Sequence, residues 1–201
     1  MLSKTRIAVL VSGGGTNLQA LLDSNLCSGE IVLVLSSSPE AFALQRAKRA
    51  GIPAVAVNRQ NYANRAEFET VLSEKLGECG AELIVLAGFM CILSAEFVSK
   101  YPGRIVNVHP SLIPSFCGAG YYGLKVHKAV LDYGVKVTGA TVHLVNEVPD
   151  GGKILLQKAV DVLEGDTPEK LQKRVMEQAE WEILPKAVEM LAGCIAKEKQ
   201  S

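Results

Sequence analysis

The chain has 201 residues, of which 48% are hydrophobic and 21% charged, and its formal net charge at pH 7 is zero. This composition is typical of a globular protein with a sizeable core, and it argues against intrinsic disorder. Because there is no surplus of positive charge for a polyanion, nucleic acid is disfavoured as a main partner.

The cysteines and the first segment of the chain restrict the compartment. Five cysteines are scattered without a C-x-x-C pair, which argues against a disulfide framework and against a zinc site. The apolar run in "MLSKTRIAVLVSGGG" is too short for a signal peptide or a membrane span. We therefore expect a single cytoplasmic domain over residues 1–201, with no membrane partner and no metal.

Short apolar runs alternate with helical patterns in the first half of the chain. The runs "RIAVLV", "EIVLVLS", "AVAV", "ELIVLAG" and "RIVNVH" are typical of strands that are buried on both faces. Segments such as "AFALQRAKRAG" and "RAEFETVLSEKLGECG" separate the first four runs, and their apolar residues recur with a helical period. This alternation predicts an α/β fold with a doubly wound, mostly parallel sheet.

The pattern changes in the C-terminal part of the chain. Only the turn "PDGG" separates the strand-like segments "KVTGATVHLVNEV" and "KILLQKAVDV", which predicts an antiparallel pair added to the parallel sheet. Thr167 and Pro168 suit the N-cap and the first position of a helix. We expect a long last helix from about Pro168 into the 190s.

The segment "VLVSGGGTNLQALL" places a glycine turn between the first strand and an amphipathic helix. Glycines let the backbone approach a ligand, and the N–H groups at the start of a helix near Thr16 suit an anion such as phosphate. The spacing is not G-x-G-x-x-G, because Leu18 stands at the third position, and it is not a P-loop. The alternative is a tight turn in which Thr16 or Asn17 caps the helix.

Asn107 and His109 lie two residues apart at the predicted carboxyl end of a strand, in "GRIVNVHPSLIPSF". Alternate residues of a strand share a face, so the amide and the imidazole are expected to project together where ligands bind in open sheets. An amide beside an imidazolium is suited to stabilising an oxyanion. A structural histidine is the alternative for His109.

Asp150 lies in "NEVPDGG", where an aspartate ordinarily stabilises its own turn. If the fold brings it to His109, its carboxylate favours the protonated imidazolium. His127 and His143 are interpreted as packing or supporting residues, and Cys117 as an inert thiol. The three histidines of the chain show no H-x-x-x-H pair, so no metal site is predicted.

Five segments together carry a resemblance over nearly the whole chain. The segments "SGGGTNLQALL", "LAGFMCILS", "NVHPSLIPSF", "TVHLVNEVPDGG" and "QAEWEILPKAV" resemble, in order and spacing, the phosphoribosylglycinamide formyltransferase family of purine synthesis. The Asn-x-His motif with a distant Asp is shared by enzymes that use 10-formyltetrahydrofolate. The glycine turn and the compact length select this family, and the implied fold is a formyltransferase-like variant of the Rossmann fold.

The resemblance also implies roles for individual residues. The glycine turn implies substrate-phosphate binding by Gly15, Thr16 and Asn17, and Glu180 matches an acid near the substrate ribose. Asn107 and His109 match the catalytic pair, and Asp150 matches the carboxylate that keeps the histidine charged. The folate co-substrate is implied to contact Arg65, Asn107 and the backbone of Met90, Cys91, Ile92 and Leu93.

Three departures from the family pattern stand out. The glycine turn reads GGGTN where G-N-G-S-N is common, and Cys91 replaces a frequent arginine. The segment "SFCGAGYYGLKVH" is longer than usual, so it is expected to alter how a loop covers the site.

The resemblance implies transfer of a formyl group from 10-formyltetrahydrofolate to the amine of phosphoribosylglycinamide, by a monomer or a homodimer that binds only small molecules. One alternative is a 10-formyltetrahydrofolate deformylase, whose additional N-terminal module we expect to be absent because the first strand begins near Arg6. Another is a methionyl-tRNA formyltransferase, which needs an RNA-binding domain and a basic surface. A non-catalytic nucleotide-binding module is the last alternative.

Overall fold

The computed structural model describes residues 3–200, so residues 1, 2 and 201 of the predicted single domain lie outside this description. Strands occupy β1 (Thr5–Val11), β2 (Gly29–Ser36), β3 (Ala54–Ala56), β4 (Leu83–Leu86), β5 (Ile105–His109), β6 (Val137–Leu144) and β7 (Ile154–Asp161). Helices occupy α1 (Thr16–Asp23), α2 (Phe42–Arg49), α3 (Arg65–Glu78), α4 (Ala95–Ser99), α5 (Leu124–Tyr133), α6 (Pro168–Val175) and α7 (Trp181–Glu198).

The strands form one sheet in the order β3-β2-β1-β4-β5-β6-β7. Strands β1 to β5 pair in parallel, whereas β6 is antiparallel to β5 and β7 is antiparallel to β6. The mostly parallel sheet with an antiparallel C-terminal pair is therefore confirmed. Because the chain returns from the β3 edge to place β4 beside β1, the strand order reverses at β1, which is where open α/β sheets bind ligands.

Helices cover both faces of the sheet. In β1, Ile7 and Val9 belong to the apolar cluster that includes residues of α1, α2, α6 and α7, whereas Ala8 and Leu10 belong to the cluster that includes residues of α3 and α4. Successive strand residues point to opposite faces, so a strand between two helical layers must be apolar throughout. This explains the unbroken apolar runs and confirms the doubly wound arrangement.

The last helix begins as predicted, because Pro168 is its first residue and the Thr167 side chain accepts a hydrogen bond from the Lys170 N–H. It is interrupted by a π-helical turn over Met176–Glu180 before α7 continues to Glu198. A π turn inserts one extra residue into the helix and changes which side chains face a neighbouring site. None of the helices within residues 3–200 combines the length and the apolar character needed to cross a bilayer.

Candidate active site

A cleft of about 670 Å³ opens at the carboxyl ends of β1, β4 and β5, next to the point where the strand order reverses. It brings together segments that are far apart in the chain. Its walls are formed by residues 13–17, 87–92, 107–110, 118–123 and 149–150, with Gln172, Met176 and Glu180.

Asp150 lies between two imidazoles at one end of this cleft. Its Oδ2 atom is 3.4 Å from His109 Nδ1, and its Oδ1 atom is 3.6 Å from His143 Nε2. The Gly118 N–H donates a 2.8 Å hydrogen bond to Oδ2. Burial disfavours the charged carboxylate, but the contact with His143, the charge of His109 and the Gly118 N–H outweigh it, so the pKa of Asp150 is lowered. The carboxylate is therefore held ionised against the histidines.

His143 supports both Asn107 and Asp150, a contact that sequence reasoning did not identify. The register of β5 and β6 places His143 directly opposite Asn107, and His143 Nε2 lies 3.2 Å from Asn107 Nδ2 and 3.6 Å from Asp150 Oδ1. His143 Nδ1–H donates to the Leu144 carbonyl at 2.9 Å, which orients the ring. An amide carries two N–H donors, so Asn107 keeps one for a ligand. The pairing of His143 with Asn107 depends on the register between β5 and β6, which the periodicity of the sequence does not reveal.

The other nitrogen of His109 is occupied in this structure. His109 Nε2–H donates to the Phe116 carbonyl at 2.9 Å, and Phe116 has a positive φ of 49°. A positive φ is uncommon for an aromatic residue, so the loop after β5 is held in an unfavourable conformation at this point. A ligand oxygen that takes a hydrogen bond from His109 Nε2 must therefore replace this carbonyl.

The loop that follows Phe116 forms part of the cleft wall, in line with the expectation that this longer segment affects coverage of the site. Residues 118–123 line the cleft, and Tyr121 packs edge-on against Phe116 at 6.4 Å between ring centroids. Cys117 donates to the Pro114 carbonyl, and burial raises the pKa of its thiol. This agrees with the interpretation of Cys117 as inert, because the thiolate is the nucleophile.

His127 on α5 is buried in the core, as its interpretation as a packing residue requires. Burial and the charge of His109 lower the pKa of His127 to about 4, so its ring is neutral at physiological pH. Within residues 3–200, no group of three or more His, Cys, Asp or Glu side chains is arranged to hold a metal ion.

The glycine turn lines the cleft at the N-terminus of α1. Gly15, with φ of 71°, is the N-cap of α1, and no side chain caps this helix, so the alternative of a Thr16 or Asn17 cap is wrong. The Ala43 N–H donates to the Gly13 carbonyl at 3.1 Å, and Arg46 Nε–H donates to the Gly14 carbonyl at 2.8 Å. These contacts hold the turn in place, and the first N–H groups of α1, which have no acceptor within the helix, suit an anion.

Asn17 and Glu180 join the glycine turn to the π-helical turn. The Asn17 Nδ2 group donates a 2.6 Å hydrogen bond to Glu180 Oε2, and both side chains are buried at the cleft. Burial raises the pKa of Glu180 to about 7, although the hydrogen bond from Asn17 acts in the opposite direction. Near neutral pH, Glu180 can therefore be either a donor or an acceptor towards a ligand hydroxyl.

The residues predicted to contact the folate separate into two groups. Met90, Cys91 and Ile92 line the cleft, and residues Met90 and Ile92 are 55% and 64% exposed. Leu93 instead packs on the apolar layer under α3, and Arg65 lies at the start of α3 with its side chain 54% exposed. Neither Leu93 nor Arg65 is among the residues that line the cleft.

Comparison with known proteins identifies the family of this chain. The family model described as "Formyl transferase" matches residues 5–188. Phosphoribosylglycinamide formyltransferase from Haemophilus influenzae is 40% identical over 183 residues, which cover 90% of this chain and 84% of that protein. The chain belongs to the phosphoribosylglycinamide formyltransferase family.

The phosphoribosylglycinamide formyltransferase family includes both separate enzymes and parts of longer proteins. Glycinamide ribonucleotide transformylase 1 from Symbiobacterium toebii has a crystal structure that superposes with a TM-score of 0.87 at 42% identity, covering 94% of this chain and 88% of that chain. The bovine trifunctional purine biosynthetic protein adenosine-3 is 47% identical over 193 residues. This match covers 94% of the chain but only 18% of the bovine protein.

Proposed function

We propose that this protein transfers the formyl group of 10-formyltetrahydrofolate to the amine of 5-phosphoribosylglycinamide, in the cytoplasm, as a step of purine synthesis. The observation that carries the proposal is the Asp150 carboxylate, 3.4 Å from His109 and 3.6 Å from His143, in the same cleft as the glycine turn. A group that activates an acyl-type centre and an anion site at the N-terminus of α1 together suit a phosphorylated amine as acceptor.

The reaction begins when the substrate amine attacks the formyl carbon and forms a new C–N bond. The formyl oxygen becomes negative in the tetrahedral intermediate, and the imidazolium of His109 and the free N–H of Asn107 donate hydrogen bonds to it. Each such donor contributes on the order of 3 kcal/mol in comparable sites. For His109 Nε2 to act, the formyl oxygen takes the position of the Phe116 carbonyl, which lies at 2.9 Å in this structure.

Proton transfer completes the reaction. The attacking nitrogen loses a proton, the bond between the formyl carbon and N10 breaks, and N10 gains a proton. Asp150 holds His109 charged and passes the proton from one nitrogen to the other, directly or through water. No metal ion takes part in the proposed reaction, and the products are 5-phosphoribosyl-N-formylglycinamide and tetrahydrofolate.

The substrates bind at opposite ends of the cleft. The N–H groups of Gly15, Thr16 and Asn17 bind the substrate phosphate, and Glu180 binds the ribose hydroxyls. The backbone of Met90, Cys91, Ile92 and Leu93 holds the pterin, and Arg65 interacts with the acidic tail of the folate from the rim. We expect a monomer or a homodimer without nucleic-acid or membrane partners.

A spectrophotometric assay of tetrahydrofolate release tests the proposal. The purified protein is supplied with 10-formyltetrahydrofolate, with and without phosphoribosylglycinamide, and the products are identified by mass spectrometry. We expect release that depends on the amine and a product that carries the formyl group. Equal release without the amine, with formate as the product, would identify a deformylase instead, and no release would favour a non-catalytic module.

A further inference from the structure

The wall segment, residues 89–93, of which residues 89–92 line the cleft, has no regular secondary structure of its own. It connects β4 to α4 without strand or helix hydrogen bonds, so its backbone conformation depends on tertiary contacts: Phe89, Cys91 and Leu93 pack on the apolar layer under α3, and hydrogen bonds hold its two ends. At the first end, the Met90 N–H donates to Ser12 Oγ at 2.8 Å, and Ser12 Oγ is 2.6 Å from Ser37 Oγ. This contact ties the start of the segment to the end of β1.

Glu69 holds the other end of the segment. Its side chain projects from α3 and is buried, and the Ser94 N–H donates to its Oε1 atom at 2.6 Å. The Ser94 hydroxyl donates to Oε2, and the same hydroxyl oxygen accepts from the Phe97 N–H at 3.1 Å as the N-cap of α4. Both carboxylate oxygens of Glu69 therefore bind the residue that directly follows Leu93.

The same carboxylate also faces Arg65. Arg65 lies one helical turn before Glu69 on α3, and its Nε atom is 3.9 Å from Glu69 Oε1. One buried charge thus contacts both the end of the wall segment and the cation at the rim. Burying a carboxylate is unfavourable. A serine can cap a helix without help from a carboxylate, so the need to cap α4 does not by itself explain why Glu69 is buried beside Ser94.

We propose that Glu69 is a positioning residue for the folate co-substrate, which acts by fixing the backbone of residues 90–93 and the orientation of Arg65. This inference rests on the proposed function, because it assigns the folate to this wall of the cleft. Glu69 itself lies outside the residues that line the cleft, so it acts through its neighbours rather than by touching the ligand.

Steady-state kinetics of Glu69→Ala and Glu69→Gln test the inference. Loss of a hydrogen bond to a charged group predicts that Glu69→Ala raises the KM for 10-formyltetrahydrofolate about tenfold, with the KM for phosphoribosylglycinamide nearly unchanged. Glu69→Gln keeps an acceptor for the Ser94 N–H but loses the charge that faces Arg65, so we expect a smaller rise, about threefold.

Glu67→Gln is the matched control on the same helix. Glu67 accepts hydrogen bonds from the Ala63 N–H at 3.2 Å and from the Asn64 side chain at 2.8 Å, and both of these partners lie away from the wall segment. We expect this variant to keep both KM values. An equal rise of both KM values in Glu69→Ala, or the same rise in Glu67→Gln, would overturn the inference.

A double-mutant cycle separates positioning from a general loss of stability. If Glu69 orients Arg65, then Glu69→Gln with Arg65→Ala should raise the folate KM by less than the product of the two single effects. A fully multiplicative effect would overturn the coupling, and this cycle remains decisive if Glu69→Ala fails to fold. Absence of amine-dependent transfer by the unmodified protein would instead reject the proposed function.

Discussion

Asn17 and Glu180 form a 2.6 Å hydrogen bond between the turn that follows the first strand and the π-helical turn that precedes the last helix. The two residues are 163 positions apart in the chain. Their contact closes one end of the cleft and buries a carboxyl group that has no basic partner at hydrogen-bond distance among the described residues. It therefore links the stability of this end of the molecule to pH.

Glu180→Gln should alter the pH dependence of stability. Because the pKa of Glu180 is raised from 4.5 to about 7, the folded protein binds this proton more tightly than the unfolded chain, and stability falls as pH rises between these values. The penalty is absent below the lower value and approaches about 3 kcal/mol above the higher one. Guanidinium unfolding at several pH values should show the variant gaining stability over the unmodified protein across this window. If the difference in stability between Glu180→Gln and the unmodified protein were the same at every pH, the raised pKa of Glu180 would be contradicted.

Asp150→Asn should remove most of the turnover without disturbing the loop. Asparagine tolerates the positive φ of 55° and can still accept from the Gly118 N–H, but it lacks the negative charge that lies 3.4 Å from His109 Nδ1. We expect kcat to fall about 100-fold or more, with little change in either KM. Glu147→Gln, an exposed carboxylate in the same loop, is the control and should retain kcat. Near-native kcat in Asp150→Asn would show that its assigned role is wrong.

Arg46→Met should weaken binding of the phosphorylated substrate. Arg46 Nε–H holds the Gly14 carbonyl at 2.8 Å, and its loss lets this carbonyl turn towards the phosphate. We expect the KM for phosphoribosylglycinamide to rise about fivefold, with the folate KM unchanged. Arg49→Met is the matched control. The Cζ atoms of Arg46 and Arg49 lie 5.1 and 5.6 Å from the centroid of the Phe42 ring, but of the two only Arg46 bonds to the glycine turn. Equal effects of the two variants would point to the lost surface charge instead.

Gly15→Ala should destabilise the protein, whereas Gly14→Ala should not. A Cβ atom at position 15 would lie 2.6 Å from Ala43 Cβ, and the backbone there has φ of 71°. The steric overlap and the strained backbone together predict a loss of about 2 kcal/mol in the free energy of unfolding. At position 14 an added Cβ meets no heavy atom within 4 Å. Guanidinium unfolding of both variants measures the difference, and equal stabilities would disprove the close packing of α2 on the turn.

The local features of the fold could be predicted from the sequence because each of them depends on a few neighbouring residues. The apolar runs predicted the strands, Thr167 and Pro168 predicted the start of the last helix, and the two-residue spacing placed Asn107 and His109 on one face of β5. The antiparallel pair followed from the short turn "PDGG". These predictions rest on the fixed periods of helix and strand, which do not require knowledge of the rest of the molecule.

The composition of the site was decided by the tertiary structure. Whether Asp150 reaches His109, and whether His143 faces Asn107, depends on the register between β5 and β6 and on how the turn after β6 folds back. The π-helical turn that aims Glu180 at Asn17 adds one residue to a pattern whose apolar period continues on both sides. From the sequence, Glu69 is indistinguishable from the other acidic residues of its helix, whereas in the structure its carboxylate is buried against Ser94. A one-dimensional pattern reports which face a side chain occupies, whereas contacts across elements arise only when those faces are brought together.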